Sequence, residues 1–303
     1  MKRIATVSLA GILAFAAGPT TAALSAPVSQ EIREALPQAE SVGVDPGLAG
    51  PGVEEQNPPR KSPYDKPAFW GTRLINLPTT TPMGAKDVLL RISHRFYGPV
   101  DEGYETFFGL DSGANVFFSL GYGITDKLGI SIGRARLFNE WELGLDWAAV
   151  EQGVTAGLPF SAALHAGFDW VTQEGLGTLK WNLQLSLSHQ ISRRLSVLAV
   201  PSLSTNTNFQ AVDPEATFAI GLGGRYMIFG DLSIVLEWIP VIAGYKDVQN
   251  GWGLGFEKKI GGHVFQVFVT NAFGLTGSQI VPGGDLRLGD LDFRIGFNFF
   301  RTF

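Results

Sequence analysis

The stretch "KWNLQLSLSHQI", residues 180–191, places Trp181, Leu183, Leu185 and Leu187 on one face of an extended chain. Lys180, Asn182, Gln184, Ser186, Ser188 and Gln190 fall on the other face. A period of two is that of a β-strand, whose successive side chains point to opposite sides. The stretch is about twice as long as the five or six residues usual in a soluble sheet. A strand this long, apolar along one side and polar along the other, fits a wall with lipid outside and a polar interior. The same period recurs down the rest of the chain and predicts twelve strands, at 86–97, 114–124, 128–137, 139–148, 159–171, 179–191, 195–205, 216–229, 232–240, 250–260, 263–271 and 291–303. Most match the roughly 9–11 residues of a tilted transmembrane strand, and an even number is expected of a single-chain bacterial barrel. The expected fold is all-β, an antiparallel transmembrane β-barrel spanning 86–303.

The connections alternate in length. Short turns such as 125–127, 192–194, 230–231 and 261–262 fall at one end, and longer loops such as 98–113, 206–215, 241–249 and 272–290 at the other. Two blur the pattern: 149–158 is long for its end and the one near Phe138 short for the opposite end. Turns of this kind face the periplasm and loops the exterior. Tryptophan prefers the membrane–water interface, and these strand directions put Trp141, Trp170, Trp181, Trp238 and Trp252 at the outer ends, with Trp147 at the periplasmic end. Phe118, Leu120, Ile130, Ile132, Leu143, Leu145, Ile220, Leu222, Ile234 and Leu236 fill the band between. A soluble sandwich predicts no such sorting.

The pattern is different before residue 86. Lys2 and Arg3, the apolar run 4–17 and the small residues 21–23 form a secretory signal, expected to be cleaved near residue 23. Its apolar run is too short to span a bilayer. Residues 24–68 are rich in Pro, Gly and Glu and read as a flexible periplasmic linker. Residues 69–85 begin "FWGTRLINLPTTTP": Phe69, Trp70, Leu74, Ile75 and Leu77 call for burial, while Pro78 and Pro82 break any long strand. This is a candidate plug or docking segment at the near end of the barrel.

The chain ends "DFRIGFNFFRTF", with Phe293, Ile295, Phe297, Phe299 and Phe303 on one face. Phe297, Phe299 and Phe303 resemble the C-terminal assembly signal of outer-membrane barrels, which implies the barrel assembly machinery as a partner during insertion. Arg301 replaces the aromatic residue usual two positions before the end. "SHRF" (93–96), "FFGLD" (107–111), "YGITDKL" (122–128), "GLGGRY" (221–226) and "GGHVFQVFVTN" (261–271) occur in that order over roughly 69–303. In this ordered set the chain resembles the outer-membrane β-barrel family catalogued as domain of unknown function 5777. The resemblance implies a barrel in the bacterial outer membrane and carries over no catalytic residue.

The 303 residues contain no cysteine, four histidines and three methionines. This excludes disulfides and thiol chemistry and suits an exported protein. Loss of the signal, with Lys2 and Arg3, takes the net charge from −5 to −7, which argues against nucleic acid as partner. With the Leu and Trp faces outward, the lumen candidates are Arg91, Arg95, Glu142, Asp146, His165, Asp169, Lys180, Arg225, Glu237, Glu257 and Arg294, with Asn182, Gln184, Lys259 and Asp292. Both signs are mixed, so no single-sign field is expected, and such charges commonly pair across an interior. Phe117, Leu198, Val200, Val235, Phe268 and Phe300 share the inward phase, so the lumen is expected to be partly packed.

His165 and Asp169 with Ser161 or Ser186 form the nearest thing to a hydrolytic constellation. Four histidines among many serines produce such groupings by chance, so no enzyme is expected. His94 takes the lipid-facing phase, and His189 and His263 sit beside turns. No pair has metal-ligand spacing, and no metal or cofactor is expected. The glycines of 221–224 lie within a strand with no helix after them, so they make no phosphate cradle and more plausibly serve close packing or curvature. Two functions fit: a narrow porin-like conduit for small solutes, or a structural protein that docks a periplasmic partner through its N-terminal segment.

Overall fold

A computed structural model of the chain describes residue 64 and residues 66–173, 178–208, 216–288 and 292–303. The expected signal peptide, and the linker apart from residues 64 and 66–68, lie outside the described residues. Twelve long strands run in chain order: β1 (Val88–Phe96), β2 (Ala114–Gly123), β3 (Leu128–Ala135), β4 (Glu140–Val150), β5 (Ser161–Val171), β6 (Thr178–Gln190), β7 (Leu195–Thr205), β8 (Ala216–Phe229), β9 (Leu232–Ile239), β11 (Gly251–Ile260), β12 (His263–Thr270) and β13 (Arg294–Thr302). The three-residue β10 (Val241–Ala243) follows β9 after Pro240 and pairs with β8. Pro240 has no N–H to give the ladder, which explains the break.

Each long strand pairs antiparallel with its sequence neighbours, and β1 pairs with β13 from Leu89↔Thr302 to Arg95↔Gly296. The sheet is therefore closed into a barrel, and each of the twelve long strands has a partner on both sides. Closure lets an isolated sheet lie in lipid, where an unpaired backbone group has no water to bond. Phe303 completes the seam: its N–H donates to the Val88 carbonyl at 3.0 Å.

Burial inverts the pattern of a soluble protein. On β6 the polar positions Lys180, Asn182, Gln184, Ser186, Ser188 and Gln190 are buried, and Trp181, Leu183, Leu185 and Leu187 are exposed. The same phase holds on its neighbours, leaving Leu120, Ile132, Leu143, Leu236, Phe256 and Val267 on the outside. An exposed apolar band right around a closed sheet is stable only against lipid. Trp141, Trp170, Trp181 and Trp238 are exposed near the loop end of the wall, and Trp252 is half-buried beside Trp238. Phe297 and Phe303 are exposed on the same face, with Phe299 half-buried between Phe265 and His263. The expected inward residue Asp292 precedes β13 and belongs to the loop, because the strand begins at Arg294.

A candidate lumen site

Two pieces of chain that are not part of the wall occupy the bore. The first is a finger, residues 66–83. It is tied to the turn end by Lys66, whose ammonium lies 2.8 Å from Asp231 in the β8–β9 turn. It climbs into the barrel, reverses over Leu74–Leu77 and descends. The reversal is closed by an Arg73↔Pro78 bridge and by the Leu74 N–H donating to the Leu77 carbonyl at 2.9 Å. Thr79 and Thr81 lace the two arms together through hydroxyl bonds to the Gly71 and Phe69 carbonyls. Pro78 and Pro82 keep the descending arm out of the ladder.

Phe69, Leu74, Ile75 and Leu77 are at most 1% exposed and share a cluster with the inward residues Leu198, Val200, Val235 and Phe268. The wall is cut away to receive them. A Cβ on Gly221 would stand 2.9 Å from Leu77 Cδ1 and 3.1 Å from its Cγ, and one on Gly223 would stand 2.5 Å from Leu74 Cδ2. The glycines of "GLGGRY" thus make room for the finger, a specific form of the close packing expected of them.

Polar groups of the wall read the finger's main chain at its tip. Glu237 accepts the N–H groups of Ile75 (3.3 Å), Asn76 (2.9 Å) and Leu77 (3.1 Å), and the Asn76 side-chain amide donates to it at 2.5 Å. Arg95 donates to Asn76 Oδ1 at 2.9 Å, and Asn298 to the Ile75 carbonyl at 2.9 Å. Lower down, Gln266 donates to the Arg73 carbonyl and Ser186 to that of Pro78. Thr80 and Ser188 hydroxyls meet at 2.6 Å.

The second piece is the described part of the β12–β13 loop, 271–288, which folds into the loop end. It carries a single helical turn, α1 (Gly277–Ile280). Gly277 N–H donates to Glu142 at 2.8 Å, Ser278 N–H to Asp169 at 3.2 Å, and the Ser278 hydroxyl to Glu140 at 2.8 Å. The Thr276 hydroxyl also donates to Glu140. Ile280 and Val281 join the cluster that holds Leu74 and Ile75, so loop and finger share one core with the wall. Arg294 pairs with Asp285 at 2.6 Å. Burial raises the carboxyl pKa of Asp285, and it raises that of Asp247 in the β10–β11 loop, with the Asp285 charge adding to it. At the other end, the bond from Lys66 lowers that of Asp231.

All eleven charged candidates for the lumen lie on its inward face. Both signs are present around the wall, with Arg225, Glu237 and Glu257 on the successive strands β8, β9 and β11, and two local groups of one sign stand out. Glu142, Asp146 and Asp169 stand with Glu140 on the adjacent β4 and β5, while Arg91, Arg95 and Arg294 stand on β1 and β13. Lys180 enters the acidic wall and bonds Glu140 at 3.0 Å. Arg91 donates to the Leu275 carbonyl, and the Arg225 guanidinium lies 4.3 Å from the Trp70 ring centroid and 4.0 Å from Glu257. His165 pairs through Nδ1 with Asp146 at 2.5 Å, not with Asp169. Ser186 spends its hydroxyl on the finger, and Ser161 accepts from the Gln152 N–H. Among the described residues no group of three or more His, Asp or Glu is placed to hold a metal ion.

Asn76, Glu140, Gln266, Asn298 and the 276–278 turn were not singled out from sequence. Glu140 stands in phase with Glu142 at the start of β4, and that signal could have found it. Asn76 gives no such signal, since its partner lies 161 residues away.

The family model described as Membrane bound beta barrel domain (DUF5777) matches residues 69–303. A search of curated proteins finds no match. Similar solved structures include a NanC porin, at 6% identity and TM-score 0.47 over 71% of this chain and 99% of that one. A KdgM porin matches at 12% identity and TM-score 0.45, over 72% and 99%. Outer membrane phospholipase A from Escherichia coli matches at 14% identity and TM-score 0.39, over 72% and 90%.

Proposed function

Since the chain belongs to the DUF5777 family of membrane bound beta barrel domains, we propose that it is a narrow outer-membrane conduit for small polar solutes, closed at rest by its own finger and loop. In this reading the turn end faces the periplasm, the N-terminal linker enters there, and the loop end faces outward. One observation carries it: the bore is filled by two segments outside the wall, and around the apolar patch that seats the finger the wall presents polar and charged groups to them. A barrel built only for rigidity would fill its interior with wall side chains, as small barrels do. Twelve strands lie between those and the 16–18 strands of open porins, a width suited to a narrow bore once the finger is out.

No chemical step is part of this function. The test is ion conductance of the full chain in a planar bilayer. Wild type is expected to be silent or rarely open, and Leu74→Asp with Leu77→Asp, which makes the finger too polar for its cluster, is expected to give steady steps. Adding Thr80→Cys and Ser188→Cys, whose parent hydroxyls touch, should silence that variant when oxidised and restore it when reduced. A correctly assembled L74D/L77D barrel that stays silent would overturn the conduit.

A further inference from the structure

We infer that the site under the finger tip binds the main chain of short peptides, and that such peptides are the solutes the barrel takes. This rests on the conduit reading for the solute, though not for the binding. The finger stands where a ligand would, and the wall's bonds to it are largely bonds to peptide groups. Glu237, fully buried, gathers three successive backbone N–H groups at 2.9–3.3 Å. Asn298 and Gln266 each give a side-chain N–H to a finger carbonyl, at 2.9 and 3.2 Å. Arg95 and Glu237 clasp the two ends of the Asn76 amide, one donating and the other accepting.

These groups come from β1, β9, β12 and β13, so they are held by the ladder and stay in place when the finger leaves. Glu237 would then lose the four donors of the finger, and Arg95, Asn298 and Gln266, which also bond one another, would each lose a finger partner. A peptide of about three residues that takes up the same turn, with its successive N–H groups converging on one carboxylate, offers the matching set of donors and acceptors. A sugar offers hydroxyls but no row of N–H donors for Glu237. The glycine recesses at 221 and 223 fit medium apolar side chains such as the Leu77 and Leu74 they now receive.

The experiment uses the full-length L74D/L77D protein in detergent, with N-acetylated, C-amidated Ile-Asn-Leu as probe and maltose as control. Calorimetry is expected to show saturable binding of the tripeptide and none of maltose. Glu237→Gln on the same background is expected to weaken it about 10- to 100-fold, the worth of one hydrogen bond to a charged group. Binding equal for peptide and maltose, or unchanged by E237Q, would overturn the inference. If L74D/L77D does not assemble, Phe69→Asp, which unseats the finger through its own side chain and leaves the wall intact, is titrated instead. In the bilayer, the same peptide should block the current of the open variant reversibly. Binding without any current would leave the peptide site standing and remove the conduit; current without binding would do the reverse.

Discussion

Replacing Gly221 and Gly223 together with valine is expected to drive out the finger while leaving the barrel at least as stable. Both glycines face the lumen on β8, and Gly223 stands across the ladder from Glu237. The added Cβ atoms would lie 2.9 Å from Leu77 Cδ1 and 2.5 Å from Leu74 Cδ2, whereas non-bonded carbons settle at about 3.5–4.0 Å. The leucines have nowhere to retreat within the bore, since both are at most 1% exposed. Expelling both forfeits about 1.5–3 kcal/mol of burial each, roughly 3–6 kcal/mol together. At about 1.4 kcal/mol per decade, the closed-to-open ratio falls about 10²- to 10⁴-fold. Valine meanwhile suits a strand better than glycine does, by up to about 1 kcal/mol. The two readouts should therefore not trade off against each other: open probability in single-channel recordings rises sharply, and the temperature at which the barrel loses its compact gel mobility holds or rises. A barrel of unchanged mobility with wild-type silence would refute the account of these glycines, and so would current gained only with a collapse of thermal stability.

Glu237→Gln keeps the size but removes the charge that four donors share, and should loosen the tip about 10- to 100-fold. Because the chain has no native cysteine, this is measurable as faster maleimide labelling of a single Thr80→Cys. The loop should respond to pH. Asp247 and Asp285 have raised pKa values when the loop is folded in and ordinary ones when it is out in water, so the inward state binds protons more tightly and acid favours it. Conductance of the Gly221→Val, Gly223→Val variant, which adds no titratable group, is expected to fall as pH drops from above the ordinary carboxylate range down to about 3.9, with no further loss below, and Asp285→Asn should flatten the profile. Lys66→Ala should change conductance and stability little, because its pair with Asp231 is exposed and worth about 0.2–1 kcal/mol. The Asp231 pKa is lowered in the fold, so what that pair contributes is present above the ordinary carboxylate pKa and lost as pH falls through the folded value.

The twelve strands are legible in sequence because lipid and lumen impose opposite demands on alternate residues over a full membrane thickness. All twelve lie within three residues of the period-two stretches, and 195–205 and 216–229 coincide with β7 and β8 as read. β10 escaped that pattern because three residues after a proline carry no period. The apolar residues of the finger announce their need for burial, whereas their destination does not show. The tip is held through main-chain N–H groups, which every residue but proline possesses, and the matching feature of the wall is the absence of side chains at Gly221 and Gly223. Segregation of charge was hidden for a related reason. Alternation assigns Glu142, Asp169 and Arg95 to one face, but only the register and closure of the sheet decide which of them become neighbours.

Finger and loop enter from opposite ends yet are not independent closures. Ile280 and Val281 of the loop belong to the cluster that contains Leu74 and Ile75, so withdrawing the finger takes away part of the core that the loop shares with it. Besides the packing of Leu275 on Phe117 and Ala135, what then holds the loop is polar: amide and hydroxyl bonds to Glu140, Glu142 and Asp169 and the pair between Asp285 and Arg294. Such bonds are costly to break in a dry bore but are readily exchanged for water once the bore is wet, since each nets only about 0.5–1.5 kcal/mol against solvent, or about 1.5–3 when one partner is charged. The finger is the reverse case. Its four buried apolar side chains lose about 1.5–3 kcal/mol each on exposure to water, and hydration of the lumen does nothing to relieve that. The order of events follows: the finger holds the dry, closed state, and the loop, once undercut and wetted, yields after it.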